Sequence, residues 1–137
     1  VAVLLLSGCT SVEIKRVDAD RHPLTAVCIK QNPRVVISEF LGVVEDGFRR
    51  HGIETEVFEG DPPLHCEYVL TYAAIQGSDL LISFLTHAEL RLQQGDEIVG
   101  TATYDHSGGF AVNKFRSTAS KMNPVVDALL AGFPGPR

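Results

Sequence analysis

The stretch from Val35 to Glu59 most constrains what this chain can fold into, because its hydrophobic period changes once, at a glycine. Ile37, Phe40, Leu41, Val44 and Phe48 recur at helical spacing, while Glu39, Glu45, Asp46, Arg49 and Arg50 fall elsewhere. That pattern predicts an amphipathic helix of about four turns beginning near Val35, and Gly52 supplies its stop. Directly beyond, Ile53, Thr55 and Val57 alternate with Glu54 and Glu56, the two-residue period of a half-buried strand ending at Glu59. Upstream, Leu24-Thr25-Ala26-Val27-Cys28-Ile29 is short, rich in β-branched residues and closed by Gln31-Asn32-Pro33, as a strand should be. A helix held between two strands implies a sheet with a covered face.

The remainder of the pattern is mostly strand. A third strand is expected from Cys66 to Ile75, stopping at Gln76-Gly77-Ser78-Asp79, and a fourth from Leu80 to Gln93. In the fourth, Ile82, Phe84, Ala88, Leu90 and Leu92 share one face and Ser83, His87, Glu89, Arg91 and Gln93 the other. Gln94-Gly95-Asp96 predicts a tight hairpin into a fifth strand, Glu97 to Tyr104. A second helix follows over Ser117 to Ala131, with Met122, Val125, Val126, Leu129 and Leu130 as its apolar set and Ser117 or Thr118 as its cap. Pro124 either kinks this helix or lets Asn123 cap a shorter one. The expected fold class is therefore α+β, a two-layer sandwich in the order β-α-β-β-β-α. Its mixed five-stranded sheet would run 2-1-3-4-5, with both helices on one face and the polar outer face wet. Strands one and three are expected to pair antiparallel.

The first residues read differently. Val1 to Leu6 is an apolar run leading into Ser7-Gly8-Cys9, the order of an apolar core and small residues that marks a secretory signal. Leu6-Ser7-Gly8-Cys9 resembles the lipobox of bacterial lipoproteins. In that class the cysteine sulfur takes a diacylglycerol, the preceding peptide is removed and the new amino terminus is acylated. The resemblance implies that residues 1–8 are a signal-peptide remnant, that Cys9 is the lipid attachment site, and that the protein contacts the membrane through that lipid. A frayed strand ending in an ordinary small hydrophobe is the plainer alternative. Asp after the cysteine favours inner-membrane retention in this class, and Thr10 is not Asp, so an outer-membrane anchor facing the periplasm is expected. Residues 9–22, mixed and without sustained period, read as the lipidated N-terminus and tether, whose latter half can pair at a sheet edge. Residues 23–137 form the single domain.

The formal net charge of -5 comes with no basic stripe, which argues against nucleic acid as a partner. With Cys9 assigned to lipid, Cys28 and Cys66 remain as an even pair in a compartment that permits disulfides, and a bridge is expected. Two buried free thiols, or a metal pair, are the alternatives. The metal reading is the weaker, since neither cysteine belongs to a C-x-x-C and a structural zinc site wants four ligands at defined spacings.

A wider likeness rests on Leu6 to Cys9, Cys28-Ile29-Lys30-Gln31-Asn32-Pro33, Phe48-Arg49-Arg50-His51-Gly52-Ile53, the second cysteine before Tyr68, Val99-Gly100-Thr101-Ala102-Thr103-Tyr104 and Lys114-Phe115. Together these resemble the Sbal-type family of small Gram-negative lipoproteins. The resemblance implies a fold, an address in the envelope and the cysteine pair, and no chemistry. The architecture is also similar to the small α/β domains of envelope accessory lipoproteins that activate cell-wall synthases or assemble secretion pores, which is analogy of fold only.

No catalytic constellation emerges, and no cofactor is implied. His87 with Glu89 on one strand face suggests either an acid-base or metal pair or a solvated outer face. Tyr104-Asp105-His106-Ser107-Gly108-Gly109 holds the residue types of a hydrolase in a row, yet catalytic triads are assembled from distant positions. A polar loop explains it better. Gly108-Gly109 lacks the flanking residues of a phosphate loop. His22, His51 and His65 lie at element ends without ligand spacing, and Asp61-Pro62-Pro63 is either a rigid turn or a recognition loop. Two function classes follow. The favoured one is a non-enzymatic module that binds an envelope protein or cell-wall component through its wet sheet face or the Asp105–Arg116 loop. The other is a small-ligand or metal carrier using His87 and Glu89. A carrier needs a concave pocket with converging polar groups, whereas a module needs only a flat patch or an open edge.

Overall fold

The computed structural model describes residues 10–106 and 116–135. Its elements are β1 (Thr10–Lys15), β2 (Ala26–Lys30), α1 (Phe40–Arg50), β3 (Glu54–Phe58), β4 (Tyr68–Asp79), β5 (Ile82–Gln94), β6 (Glu97–His106) and α2 (Thr118–Leu129). The class is α+β, with two helices on a mixed sheet of six strands in the order β1-β6-β5-β4-β2-β3. The five expected strands keep their expected neighbours. The sixth, β1, comes from the stretch read as a tether: Thr10 pairs with His106 and Lys15 with Thr101 along the free side of β6. The first half of that stretch, not the latter, joins the sheet. Polar residues suit it because β1 is an edge strand with little to bury.

The expected antiparallel pairing of strands one and three is wrong. β2 lies parallel to both β3 and β4, with Cys28 level with Glu56 and with Val69. The connection from Phe58 to Tyr68 carries the chain back to the starting end of β2, so β4 begins where β2 begins. The meander β4-β5-β6 is antiparallel, as expected.

Helix α1 is shorter than the periodicity suggests, because Val35 to Ile37 are irregular and Ser38-Glu39 form a turn before it begins. Its stop is a Schellman motif at Gly52, whose φ of 75° suits glycine: the Gly52 N–H donates to the Arg49 carbonyl and that of Ile53 to the Phe48 carbonyl. In α2, the Ser117 side chain accepts from the Ser120 N–H at 3.1 Å and caps the helix, which runs through Pro124 without restarting at Asn123. The helices approach closely at Gly47, where a Cβ would stand 2.6 Å from Val126 Cγ1. Both pack on the same sheet face. Phe40, Val44, Phe48, Met122, Val126 and Leu129 close over Ile29, Leu70, Leu90 and Leu92 in one core.

A bulge corrects one expected set of core residues. Ile75 pairs with His87 but Gln76 with Leu85, leaving Thr86 as the extra residue of β5. Leu85, 2% exposed, therefore continues the buried row of Ala88, Leu90 and Leu92, while Ile82 is half exposed and Phe84 only partly buried. Gln76-Gly77-Ser78-Asp79 is not the turn but more of β4. Gly77 lies opposite Phe84, and a Cβ there would meet Thr86 Cγ2 at 2.7 Å, so the glycine makes room rather than a bend. The chain reverses two residues later than Ser78-Asp79 suggests, through Leu80 and Leu81, both at positive φ (53° and 69°).

Candidate functional site

The uncovered sheet face carries the polar cluster that the sequence points to. His87 Nε2 lies 2.8 Å from Glu89 Oε2, and the other ring nitrogen, Nδ1, lies 3.4 Å from Asp105 Oδ1. The imidazole thus stands between two carboxylates. The Glu89 hydrogen bond is the main reason its pKa lies above the ordinary 6.5; partial burial opposes this and Asp105 adds to it. Asp105 was not foreseen as a neighbour. Counting from the Gln94–Glu97 pair would set Tyr104 opposite His87, and only the register shift after Leu92, which makes Val99 an extra residue, brings Asp105 there.

The second concentration of chemistry surrounds the disulfide. Cys28 and Cys66 are bridged, their Cα atoms 5.8 Å apart, in a cavity of about 330 Å³ whose wall includes Thr25, Glu54, Glu56 and His65. His65 Nε2 lies 2.7 Å from Glu56 Oε1, and donor atoms of Cys28, Glu56, His65 and Cys66 all fall within 4.8 Å of one another. The bridged sulfurs offer no thiolate. In this state the cluster presents one imidazole and one carboxylate to a cation, short of a closed four-ligand site. The better-formed cavities among the described residues, of 260 to 360 Å³, are lined by neither His87 nor Glu89.

Histidines expected only as polar rings at element ends are in part buried. His51 Nε2 is 2.9 Å from Asp127 Oδ1 and its Nδ1 3.2 Å from the Phe133 carbonyl, while Arg50 donates to the same Asp127 oxygen at 2.8 Å. Burial pushes the Asp127 carboxyl up, but hydrogen bonds from Arg50 and His51 outweigh it and hold the group below its usual range. His22 is buried against Tyr68, with Nδ1 3.2 Å from its hydroxyl. Glu39 accepts from the Thr118 hydroxyl at 2.7 Å, tying the start of α1 to that of α2, and that bond lowers its pKa. Lys121 reaches inward to the Leu85 carbonyl at 3.0 Å, and burial pushes its pKa down. None of these ties was visible in sequence, since each joins residues far apart in the chain. They lock elements together.

Cys9 and residues 107–115, Ser107-Gly108-Gly109 included, lie outside the described residues, while Asp105 and His106, expected in a loop, are the end of β6. Asp61 and Pro62 are exposed, in the turns between β3 and β4. No helix among the described residues is long and apolar enough to cross a membrane.

One sheet layer under two helices is the architecture that comparison with known proteins returns. No family model and no curated protein matches the chain. Among solved structures the fold is similar to PelC from Paraburkholderia phytofirmans, a dodecamer crystallised in space group P6. The TM-score is 0.54 at 13% identity, covering 85% of this chain and 96% of that one. A single-substitution variant of the same dodecamer, in space group C2, matches at a TM-score of 0.52 and 13% identity, over 84% of this chain and 97% of that one. At that identity the likeness is one of fold.

Proposed function

We propose that this chain is an outer-membrane-anchored periplasmic lipoprotein, held by lipid on Cys9, whose folded domain is a non-enzymatic module for an envelope protein or a cell-wall component. The observation that carries the reading is the open side of the sheet: both helices pack on one face, so Thr71, Arg91, Thr101 and Thr103 stand on the other, where no described element covers them. A flat polar face of this kind suits a partner surface better than a small ligand. That a protein of the same fold is a dodecamer supports a role in which such surfaces meet another subunit. Photo-crosslinking from Arg91 and Thr103 in intact cells tests it. A defined crosslinked envelope component is expected, and free, uncrosslinked protein from both positions overturns the reading. The anchor is tested separately by fatty-acid labelling, which Cys9→Ala should abolish.

A periplasmic carrier is the second reading, and one observation favours it. The cavity beside the disulfide is concave and brings Glu54, Glu56 and His65 into one wall. The carrier site would then lie there and not at His87 and Glu89. Calorimetric titration with Zn²⁺ decides between the two: binding that His65→Ala removes supports the carrier.

A further inference from the structure

Leu80 and Leu81 form the whole of the β4–β5 turn, both in the left-handed region, where Asn-Gly or Asp-Gly is the ordinary choice. They are also among the most exposed large hydrophobic residues described, at 80% and 102%. Neither packing nor turn chemistry accounts for two leucines in such a place, and a strained backbone that presents apolar side chains to solvent points to a use for them. The apolar character extends beyond the turn. Ile82 and Ile75 are each at least half exposed. Exposed Val36 lies beside the hairpin, sharing a cavity wall with Gln76 and Phe84. Between Ala73 and Thr86 the sole charged residue is Asp79.

The sheet register gives this end of the molecule a direction. Thr10 pairs with His106, Asp105 with His87, and His87 with Ile75. Past that row β4 and β5 continue together for four more pairs, Gln76 with Leu85 to Asp79 with Ile82, roughly 13 Å further along the strands. The hairpin therefore projects from the same end of the sheet at which β1 begins, one residue after Cys9.

We propose that the β4–β5 hairpin is a membrane-contacting finger: Leu80, Leu81 and Ile82 enter the interfacial region of the bilayer and orient the domain on it. The proposal rests on the lipoprotein reading for its surface, since an anchor at Cys9 and a finger at the same end reach one bilayer together. A lipid surface is the occupant because the tip is a narrow apolar knob with a nearly uncharged stem. Two contacts, anchor and finger, hold a domain in one orientation where a lipid alone leaves it free to swing.

The test is a depth measurement on the full chain bound to vesicles of phosphatidylethanolamine and phosphatidylglycerol. With Cys9 acylated and Cys28–Cys66 bridged, Leu81→Cys supplies a single thiol for an environment-sensitive fluorophore. Leu64→Cys, fully exposed and outside the hairpin, is the control. Quenching of the Leu81 label by brominated acyl chains, with the Leu64 label quenched only by aqueous iodide, is expected. The converse at Leu81 overturns the proposal. So does protection of Leu81 that depends on protein concentration but not on lipid, which would make the tip a contact between copies. A second variant guards against misfolding. A label at exposed Ser83→Cys, next to the inserted residues, should be quenched by brominated acyl chains in the natural hairpin and lose that quenching when Leu80→Asn with Leu81→Gly provides the residues the turn prefers. A label count of two thiols per chain would mean that Cys9 is unacylated, which is failure of the lipoprotein reading; the depth of Leu81 is then read in the Cys9→Ala chain and judges the finger by itself.

Discussion

His87 and Leu85, two residues apart on β5, separate packing from surface charge. Leu85 is buried to 2% exposure, so Leu85→Ala should remove about 2 to 5 kcal/mol through lost burial and a residual cavity. His87→Ala at about pH 9 should change stability by no more than roughly 0.5 kcal/mol. Urea denaturation of both variants measures the contrast. The histidine also carries a pH dependence of definite sign. Its folded pKa lies above the ordinary 6.5 because Glu89, and then Asp105, favour the charged ring. The stability it contributes is therefore fully present below about pH 6.5 and is lost as pH rises through the raised folded value. The difference in unfolding free energy between the natural protein and His87→Gln should be largest near pH 5.5 and vanish near pH 9. A difference that does not vary with pH would mean that the ring is not held by those carboxylates.

At the scale of elements, the β4–β5 hairpin contradicts local preference most openly. A left-handed backbone costs a residue with a Cβ about 1 to 2 kcal/mol, and the hairpin bears this twice. Replacing Leu80-Leu81 by Asn-Gly should raise thermal stability, by about 1 to 2 kcal/mol for the pair, while removing the apolar tip. Differential scanning calorimetry reads the gain, and a loss would show that the leucines pack against the fold. That a change can stabilise the protein and impair the proposed membrane contact is what functional strain predicts. Opposite behaviour is expected where α1 meets α2. Gly47 permits the close approach to Val126, and there glycine serves packing.

For the molecule as a whole, the Cys28–Cys66 bridge does what neither helix can. It joins β2 to the segment leading into β4 across a sequence separation of 38 that includes all of α1 and β3. Constraining a loop of this length in the unfolded chain is worth about 4 kcal/mol in the entropy model, a large part of the ~5 to 15 kcal/mol typical of a domain. Reduction, or Cys28→Ala with Cys66→Ala, should lower the urea midpoint accordingly. An unchanged midpoint would show that the parallel pairing of β2 with β3 and β4 holds without it. The helices close over one face of the sheet, and among the described residues no element covers the other.

Much of this was legible from periodicity alone. The helical spacing from Phe40 to Phe48, the Gly52 stop, the alternation of Ile53, Thr55 and Val57 and the cap at Ser117 each depend on residues a few positions apart, and local rules decide them. The order of the five core strands matches the expected one, although β2 and β4 run parallel and not antiparallel. Tertiary structure decided the rest, because it turns on one-residue offsets and distant partners. The extra residue at Thr86 put Leu85 in the core in place of Phe84, and the one at Val99 put Asp105 beside His87. The free side of β6 drew Thr10–Lys15 out of a presumed tether into the sheet. Leu80 and Leu81 carry no turn signal in their side chains, so only the pairing of Asp79 with Ile82 could place a reversal there. A period of two makes a strand recognisable in sequence, but it also means that a single inserted residue exchanges its two faces, and no window of sequence shorter than the sheet contains that information.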